Sequence, residues 1–157
     1  MKLHDAKDNP AVIAFPPLIW LAGAVLSSLA HYFFPSRMMS PEVSRLIGIT
    51  LAIMALSLAI WAALIMKGAG TNVHPSQPTL AIVRRGPFRL TRNPMYLALC
   101  ILQAALGFLL NDWSTLAFVI PLALVLHYGV ILREEKYLEA KFGDQYLALK
   151  RDVRRWF

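Results

Sequence analysis

Cysteine and charged residues are scarce in this sequence. The only cysteine, Cys100, excludes an internal disulfide and a metal site built from several thiolates, and we expect no bound metal. Charged residues make up only 16% of the 157 residues, whereas hydrophobic residues make up 57% and the mean hydropathy is +0.52. This composition is too apolar for an ordinary soluble domain. The sequence therefore predicts a protein whose solvent is a lipid bilayer.

Four uncharged apolar segments have a length close to that of a membrane-spanning helix. A spanning helix needs about 20 residues at a rise of about 1.5 Å per residue. We therefore predict an all-α polytopic membrane protein, one domain over residues 1–157, with spans at residues 11–34, 46–66, 94–110 and 113–132. The third span is short and must either start at the interface or stand nearly upright. The first is too long for the apolar core of a cleavable signal peptide, so we expect it to be retained.

The basic residues predict how these spans are oriented. With four spans, 14 lysines and arginines fall in the two termini and the second loop, whereas the other two loops hold 2, Arg37 and Arg45. Because positive residues concentrate on the cytoplasmic side, both termini and the loop of residues 67–93 are predicted to be cytoplasmic, in a bacterial or archaeal inner membrane. The net charge of +7 then reflects topology and attraction to lipid headgroups, and we expect no nucleic-acid partner.

Two polar segments flank the third and fourth spans and would meet on one face of the membrane. Residues 86–96 lead into the third span, and residues 133–138 lead out of the fourth. Asn93 and Pro94 predict a helix start, with Asn as the N-cap and Pro at the first helical position. The free N–H groups of a helix start and the neighbouring arginines suit a carboxylate or a phosphate. The two segments are therefore predicted to form a single site.

A pair of adjacent glutamates lies just beyond the fourth span. Neighbours on a helix point about 100° apart, so one of Glu134 and Glu135 could face a ligand while the other pairs with a base such as Arg92. On this segment alone, a solvated charge cluster with Arg133 and Lys136 is equally compatible with the pattern. The pattern that follows is amphipathic and predicts a carboxyl-terminal helix along the cytoplasmic surface. Within it, Gly143 is expected to end one helix and Asp144 to cap a second short one.

Other polar residues have two interpretations. His127 lies inside the fourth span, where an ionisable side chain is a functional candidate, although a neutral packing role is equally compatible. Arg84, Arg85 and Arg89 either bind an anion or anchor the helix end to lipid headgroups. His74 lies in a loop where neither spacing nor partners suggest a metal.

The order and spacing of the polar pieces resemble a known family. The pieces are Gly86-Pro87-Phe88-Arg89, Arg92-Asn93-Pro94-Met95-Tyr96, Glu134-Glu135 and Phe142-Gly143-Asp144-Gln145-Tyr146. Over residues 68–155 this pattern resembles the membrane methyltransferases that include isoprenylcysteine carboxyl methyltransferases and phospholipid N-methyltransferases. Asn93 stands where many relatives have histidine.

The resemblance implies an enzyme that uses S-adenosylmethionine as its methyl donor. The donor would lie between the loop, the apolar hairpin and the amphipathic tail, and the residues implied to bind it are Gly86, Phe88, Arg92, Asn93, Pro94, Tyr96, Glu134 and Glu135. The expected catalytic residues are Arg89, His127 and Glu135. The acceptor is expected to be lipophilic: a prenylcysteine-like carboxylate, a lipid amine or a hydrophobic thiol.

Two other functions are compatible with the same residues. A membrane reductase can share a related helical scaffold and bind a nicotinamide cofactor with basic loops. A non-enzymatic lipid-binding membrane protein would bind neither cofactor. Competition between S-adenosylhomocysteine and nicotinamide adenine dinucleotide phosphate separates the three possibilities.

We predict that reporter fusions placed after Lys67 and after Phe157 both report the cytoplasm, because the basic residues concentrate on that side. A fusion after Asn111, in the predicted external turn, is the control and should report the outside. An external signal from either of the first two positions would contradict the four-span topology.

Overall fold

The computed structural model describes residues 8–156, so that Lys2 and Lys7 of the predicted amino-terminal tail lie outside the described residues. Within this range the chain is all-helical, as predicted, and has no β-strand. Seven α-helices follow one another: α1 (Pro16–Phe33), α2 (Pro41–Gly68), α3 (Pro94–Leu109), α4 (Trp113–Ala117), α5 (Val119–Leu126), α6 (Leu132–Phe142) and α7 (Asp144–Asp152). A 3-10 helix spans Gly86–Arg89, and a π-helical segment spans His127–Ile131.

Prolines set the beginnings of the first three helices. Pro16, Pro41 and Pro94 lie at the start of their helices, where the missing N–H group is no loss and the fixed φ suits a helix. The first helix therefore starts later than the predicted span at residues 11–34. α2, by contrast, extends beyond both ends of the predicted span at residues 46–66.

Two helical stretches are long and apolar enough to cross a membrane, judged by length and composition. They are Pro41–Gly68, with 28 residues, and Trp113–Phe142, with 30 residues. α3 is apolar but has only 16 residues, which corresponds to about 24 Å against a hydrocarbon core of about 30 Å. α1 has 18 residues. Membrane crossing by α1 and α3 stays a prediction from the sequence.

Glycines allow α3 to pack closely against the helices on both sides of it. A Cβ atom on Gly48 of α2 would lie 2.9 Å from the backbone nitrogen of Leu109 in α3. A Cβ atom on Gly107 of α3 would lie 2.7 Å from the Cα of Leu116 in α4. Small residues at such contacts let helix backbones approach, which strengthens van der Waals packing where lipid supplies no hydrophobic driving force.

The turn between α3 and α4 brings the two predicted external loops together. Asn111 has a left-handed φ of +53°, and Asp112 caps α4 by accepting a hydrogen bond from Thr115 N at 2.7 Å. The buried carboxylate of Asp112 also accepts one from the backbone N–H of Ser36, in the loop between α1 and α2, at 2.6 Å. α3 and α4 therefore form the antiparallel hairpin that the sequence predicts.

The helix that contains the predicted fourth span is continuous but irregular. It changes to π geometry at His127–Ile131, a feature that is frequent at functional sites. There the carbonyl of Gly129 accepts a hydrogen bond from Ile13 N at 3.2 Å. Ile13 fits because Gly129 has no side chain: an added Cβ would lie 2.3 Å from Ile13 Cδ1. The segment before α1 is thereby docked against this helix.

The amphipathic region after the fourth span folds as two helices. α6 ends where Gly143 adopts a φ of +50°, a conformation that favours glycine. α7 begins at Asp144, but the N-cap position belongs to Gly143 and no side chain caps the helix. The prediction that Asp144 caps α7 is therefore wrong. Tyr146 and Leu149 form the buried face of α7.

We predict that Gly107→Ala lowers the unfolding temperature in detergent by several degrees, as followed by circular dichroism. The added methyl group must push α3 and α4 apart, and overpacking of this kind costs about 1–3 kcal/mol. Gly23→Ala in α1 is the matched control, because nothing lies within 4 Å of a Cβ built at Gly23. Equal unfolding temperatures for the two variants would contradict the close packing at Gly107.

Candidate functional site

A cavity opens between the loop of residues 67–93, the start of α3, and helices α6 and α7. The empty space in and in front of it amounts to about 880 Å³, a volume that includes open solvent at the mouth. Its walls include apolar side chains such as Met66, Val83 and Leu138. Its charged side chains, Arg92, Glu134 and Glu135, come from both of the predicted polar segments, which therefore meet as the sequence predicts.

Most of the residues predicted to bind the donor line this cavity: Phe88, Arg92, Asn93, Pro94, Tyr96, Glu134 and Glu135. Gly86 lies outside the lining. Its φ of +55° forms the turn into the 3-10 helix, and a Cβ there would lie 2.9 Å from Ile65 Cγ1 of α2. Gly86 therefore affects the site only through the backbone turn that its positive φ allows.

Two of the three predicted catalytic residues also lie outside the cavity lining. Arg89 lines a separate depression together with Arg84 and Asp152, which form an ion pair at 3.1 Å. His127 belongs to the π-helical segment, and its ring lies nearly parallel to that of Trp156, with 6.5 Å between the centroids. The third, Glu135, does line the cavity.

The buried carboxylate of Glu135 contacts two arginines at the wall of the cavity. Its Oε1 lies 3.1 Å from Arg92 Nη2. Arg155 donates to the same carboxylate twice, from Nε to Oε1 at 2.9 Å and from Nη2 to Oε2 at 2.8 Å. Hydrogen bonding to Glu135 raises the pKa of Arg155, so this guanidinium stays charged. The expectation that one glutamate pairs with Arg92 is confirmed, and the glutamate is Glu135.

Arg92 keeps unpaired hydrogen-bond donors at the cavity. Its side chain is 7% exposed, and its Nε and Nη1 have no hydrogen-bond partner among residues 8–156. Buried donors without acceptors are costly, and more so on a charged group. Because two guanidiniums surround one carboxylate, the cluster of Arg92, Glu135 and Arg155 has a net charge of about +1. This side of the cavity therefore suits an anionic group.

Glu134 has a different environment from its neighbour. Its Oε1 accepts a hydrogen bond from the hydroxyl of Tyr96 at 2.6 Å. Among the described residues, no lysine or arginine forms an ion pair with Glu134, in contrast to Glu135. The cavity therefore has an arginine with unpaired donors on one side and a carboxylate without a basic partner on the other. A ligand that carries both charges matches this arrangement.

The segment that follows α7 is tied to the start of α3. The carbonyl of Arg154 accepts a hydrogen bond from Arg92 N at 3.0 Å. The carbonyl of Arg155 accepts two more, from Thr91 Oγ1 at 3.0 Å and from Asn93 Nδ2 at 2.9 Å. Asn93 occupies the N-cap position of α3, but its side chain makes no cap hydrogen bond and holds this segment instead.

The segment before α1 contacts α6 and the loop of residues 67–93 at the rim of the cavity. The hydroxyl of Tyr137 donates to Asp8 at 2.7 Å and accepts from Thr79 N at 3.2 Å. Lys141 also bonds Asp8 at 2.7 Å, and this hydrogen bond lowers the pKa of Asp8. The ring of Phe15 stacks on that of His74, with 4.4 Å between the centroids. This segment and the loop of residues 67–93 thus cover the site from one side.

Some residues of the site are not apparent from the sequence. His74 lines the cavity, but its stacking partner Phe15 is far away in the chain. Arg155 is one of several basic residues in a tail whose positive charge the topology already explains. A contact between distant residues leaves no local pattern, so neither role could be found by inspection of spacing.

These features define an all-helical protein with helices that can cross a membrane and a charged small-molecule cavity beyond their apolar parts. The family model described as phospholipid methyltransferase matches residues 43–145, about two thirds of the chain. The chain belongs to this family of integral membrane methyltransferases. An uncharacterized protein of Haemophilus influenzae is 44% identical over 62 residues, which are 40% of this chain and 98% of that protein.

Proposed function

We propose that this chain transfers a methyl group from S-adenosylmethionine to a lipophilic acceptor in the membrane. The observation that carries the proposal is Arg92, a residue of the cavity lining whose buried Nε and Nη1 have no hydrogen-bond partner among residues 8–156. Membership of the family supports methyl transfer in general terms. The charges of the cavity support this particular donor.

The amino-acid part of the donor carries a carboxylate and an ammonium group, and the cavity offers a partner for each. We assign the carboxylate to Arg92, because a hydrogen bond between a guanidinium and a carboxylate is charge-assisted and about twice as strong as a neutral one. We assign the ammonium group to Glu134, which lacks a basic partner among the described residues. Phe88 and Tyr96 offer aromatic rings to the adenine or to the sulfonium cation.

When bound, the donor supplies a methyl group activated by a positively charged sulfur. The chain itself contributes binding and orientation: Glu135 fixes Arg92, and Tyr96 fixes Glu134 through its hydroxyl. The segment before α1 and the loop of residues 67–93 limit the access of water. Orientation of two reactants in this way can supply a large part of a rate enhancement.

The catalytic assignments depend on the acceptor. A carboxylate is ionised at neutral pH, whereas an amine or a thiol has to lose a proton and needs a base. Glu134 lines the cavity and can take that role, and His127 could do so from outside the lining. We propose that Glu135 acts through Arg92, and that Arg89 contacts an acceptor headgroup at the membrane surface.

We further propose four spans, cytoplasmic termini in an inner membrane, and entry of the acceptor from the lipid. Met66, near the end of α2, lines the cavity. On the same helix, Trp61 and Leu64 are 47% and 61% exposed and form part of an apolar surface. A lipid chain could therefore lie along α2 while its headgroup reaches the cavity.

A nicotinamide cofactor matches the cavity less well. Its pyrophosphate would place negative charges near Glu134, which no arginine or lysine of the described residues neutralises. Like charges at short distance are unfavourable, and more so when both are removed from water. The charge pattern therefore favours the methyl donor over the cofactor of a reductase.

We predict that Arg92→Ala and Glu134→Gln each weaken the binding of S-adenosylhomocysteine about ten-fold or more, as measured by calorimetric titration. Each variant removes a charge-assisted contact, which contributes about 1.5–3 kcal/mol. Both variants should fold, because Arg92→Ala leaves Glu135 paired with Arg155 and Glu134→Gln keeps an acceptor for Tyr96.

Arg85→Ala is the matched control for charge, since Arg85 is exposed and lies outside the cavity lining, and it should bind like the wild type. Wild-type affinity in both site variants would refute the assigned contacts. Wild-type protein that binds nicotinamide adenine dinucleotide phosphate but not S-adenosylhomocysteine would favour the reductase.

We predict that, for acceptors with one headgroup and increasing alkyl length, kcat/KM rises with chain length. Each methylene buried against the protein contributes about 0.8 kcal/mol, or roughly a fourfold change. Acceptor concentrations are set as mole fractions in mixed micelles, so that partition into the micelle does not imitate binding. Activity that is independent of chain length, or highest for the shortest soluble acceptor, would rule out entry from the lipid.

A further inference from the structure

The segment after α7 lies outside the range that the family model matches, yet it contacts two residues that line the cavity, Arg92 and Glu135. The family match ends at residue 145, and this segment begins after Asp152. Three hydrogen bonds to the carbonyls of Arg154 and Arg155 fix its backbone to residues 91–93. Its attachment therefore does not depend on the side chain of Arg155.

The side chain of Arg155 makes a separate contact. It binds Glu135 through two hydrogen bonds, at 2.9 Å and 2.8 Å, in the forked geometry that fixes both the position and the plane of a carboxylate. The oxygen that accepts from Arg155 Nε is Oε1, which also lies 3.1 Å from Arg92 Nη2. Arg155 thus fixes the position of Glu135, the carboxylate that contacts Arg92.

Charge gives Arg155 a second effect on Arg92. If Glu135 faced Arg92 alone, the two charges would cancel and the pair would attract an anion only weakly. With Arg155 present, one carboxylate is shared between two guanidiniums, and the cluster keeps a net positive charge. Arg92 can then bind an anion while its Nη2 stays near Glu135.

We propose that Arg155 is a positioning residue for the methyl donor: it holds Glu135, which orients Arg92 so that an N–H group of Arg92 that Glu135 does not engage serves the donor carboxylate. The inference rests on the proposed function and adds a residue from the carboxyl-terminal segment to the donor site. Lysine cannot replace Arg155 fully, because an ammonium group supplies the charge without the two-bonded fork.

The test compares Arg155→Ala and Arg155→Lys with the wild type, using titrations of S-adenosylhomocysteine and of methylthioadenosine. Methylthioadenosine keeps the adenosine and the thioether but lacks the amino-acid carboxylate. We expect Arg155→Ala to weaken S-adenosylhomocysteine about ten-fold, as for the loss of one charge-assisted contact, and to leave methylthioadenosine unchanged. Arg155→Lys should recover part of the loss. In turnover, KM for the donor should rise while kcat is retained.

Arg154→Ala is the matched control, because it removes an equal charge from the neighbouring exposed residue and should keep wild-type affinity. In an Arg92→Ala background, Arg155→Ala should have little further effect, since the two residues act on the same carboxylate. If Arg155→Ala fails to fold, Arg155→Lys carries the comparison of the two ligands.

Three outcomes would overturn the inference. Wild-type affinity for S-adenosylhomocysteine in Arg155→Ala and Arg155→Lys, with the loss retained in Arg92→Ala, would refute the positioning role and leave the proposed function intact. Equal weakening of both ligands would indicate that Arg155 supports only the fold. A wild-type protein that binds no S-adenosylhomocysteine would refute the proposed function, and the role of Arg155 with it.

Discussion

A buried carboxylate shared by two guanidiniums joins three distant parts of this chain. Glu135 comes from α6, Arg92 from the residues just before α3, and Arg155 from the segment after α7. Removal of such charges from water is costly and is compensated only when the hydrogen bonds between them are well formed. The two hydrogen bonds that Arg155 donates to Glu135 are well formed and therefore compensate part of this cost. The start of α3 and the direction of Glu134, the residue that precedes Glu135 on α6, are fixed relative to each other through this contact.

The bilayer restricts where such a cluster can lie. Charged side chains are expensive in the hydrocarbon region, and irregular backbone is tolerated only where protein or water surrounds it. The chain accordingly places its glutamates after the apolar part of Trp113–Phe142 and its arginine just before α3. Under the proposed function, a water-soluble donor would arrive at this depth from one side and a lipid chain from the other. The bilayer thus restricts the position of the site as much as the contacts between its residues do.

Features that depend on local sequence could be predicted, and features that depend on distant contacts could not. Three predicted features follow from neighbouring residues. They are the helix starts at prolines, the apolar hairpin, and the different directions in which the side chains of Glu134 and Glu135 point. The first helix starts later than predicted, because residues 11–15 are as apolar as a helix but make other contacts: Ile13 packs against Gly129 of the π-helical segment, and Phe15 stacks on His74. Arg155 shows the same limit: nothing near it in the sequence indicates that Glu135, 20 residues earlier, is its partner.

In the proposed orientation the site faces the cytoplasmic leaflet, whose anionic headgroups would compete with the donor for Arg92. Under the proposed function Glu134 would exclude them, because its carboxyl group lines the same cavity as Arg92 and has no basic partner among the described residues. A headgroup that carries only negative charge would gain the contact with Arg92 but would meet repulsion from Glu134. A zwitterion satisfies both residues. Specificity of this kind depends on the unfavourable contact of an anion with Glu134 as well as on its favourable contact with Arg92. On the proposed function, this is why the positively charged cluster shares the cavity with a carboxylate that has no basic partner among residues 8–156.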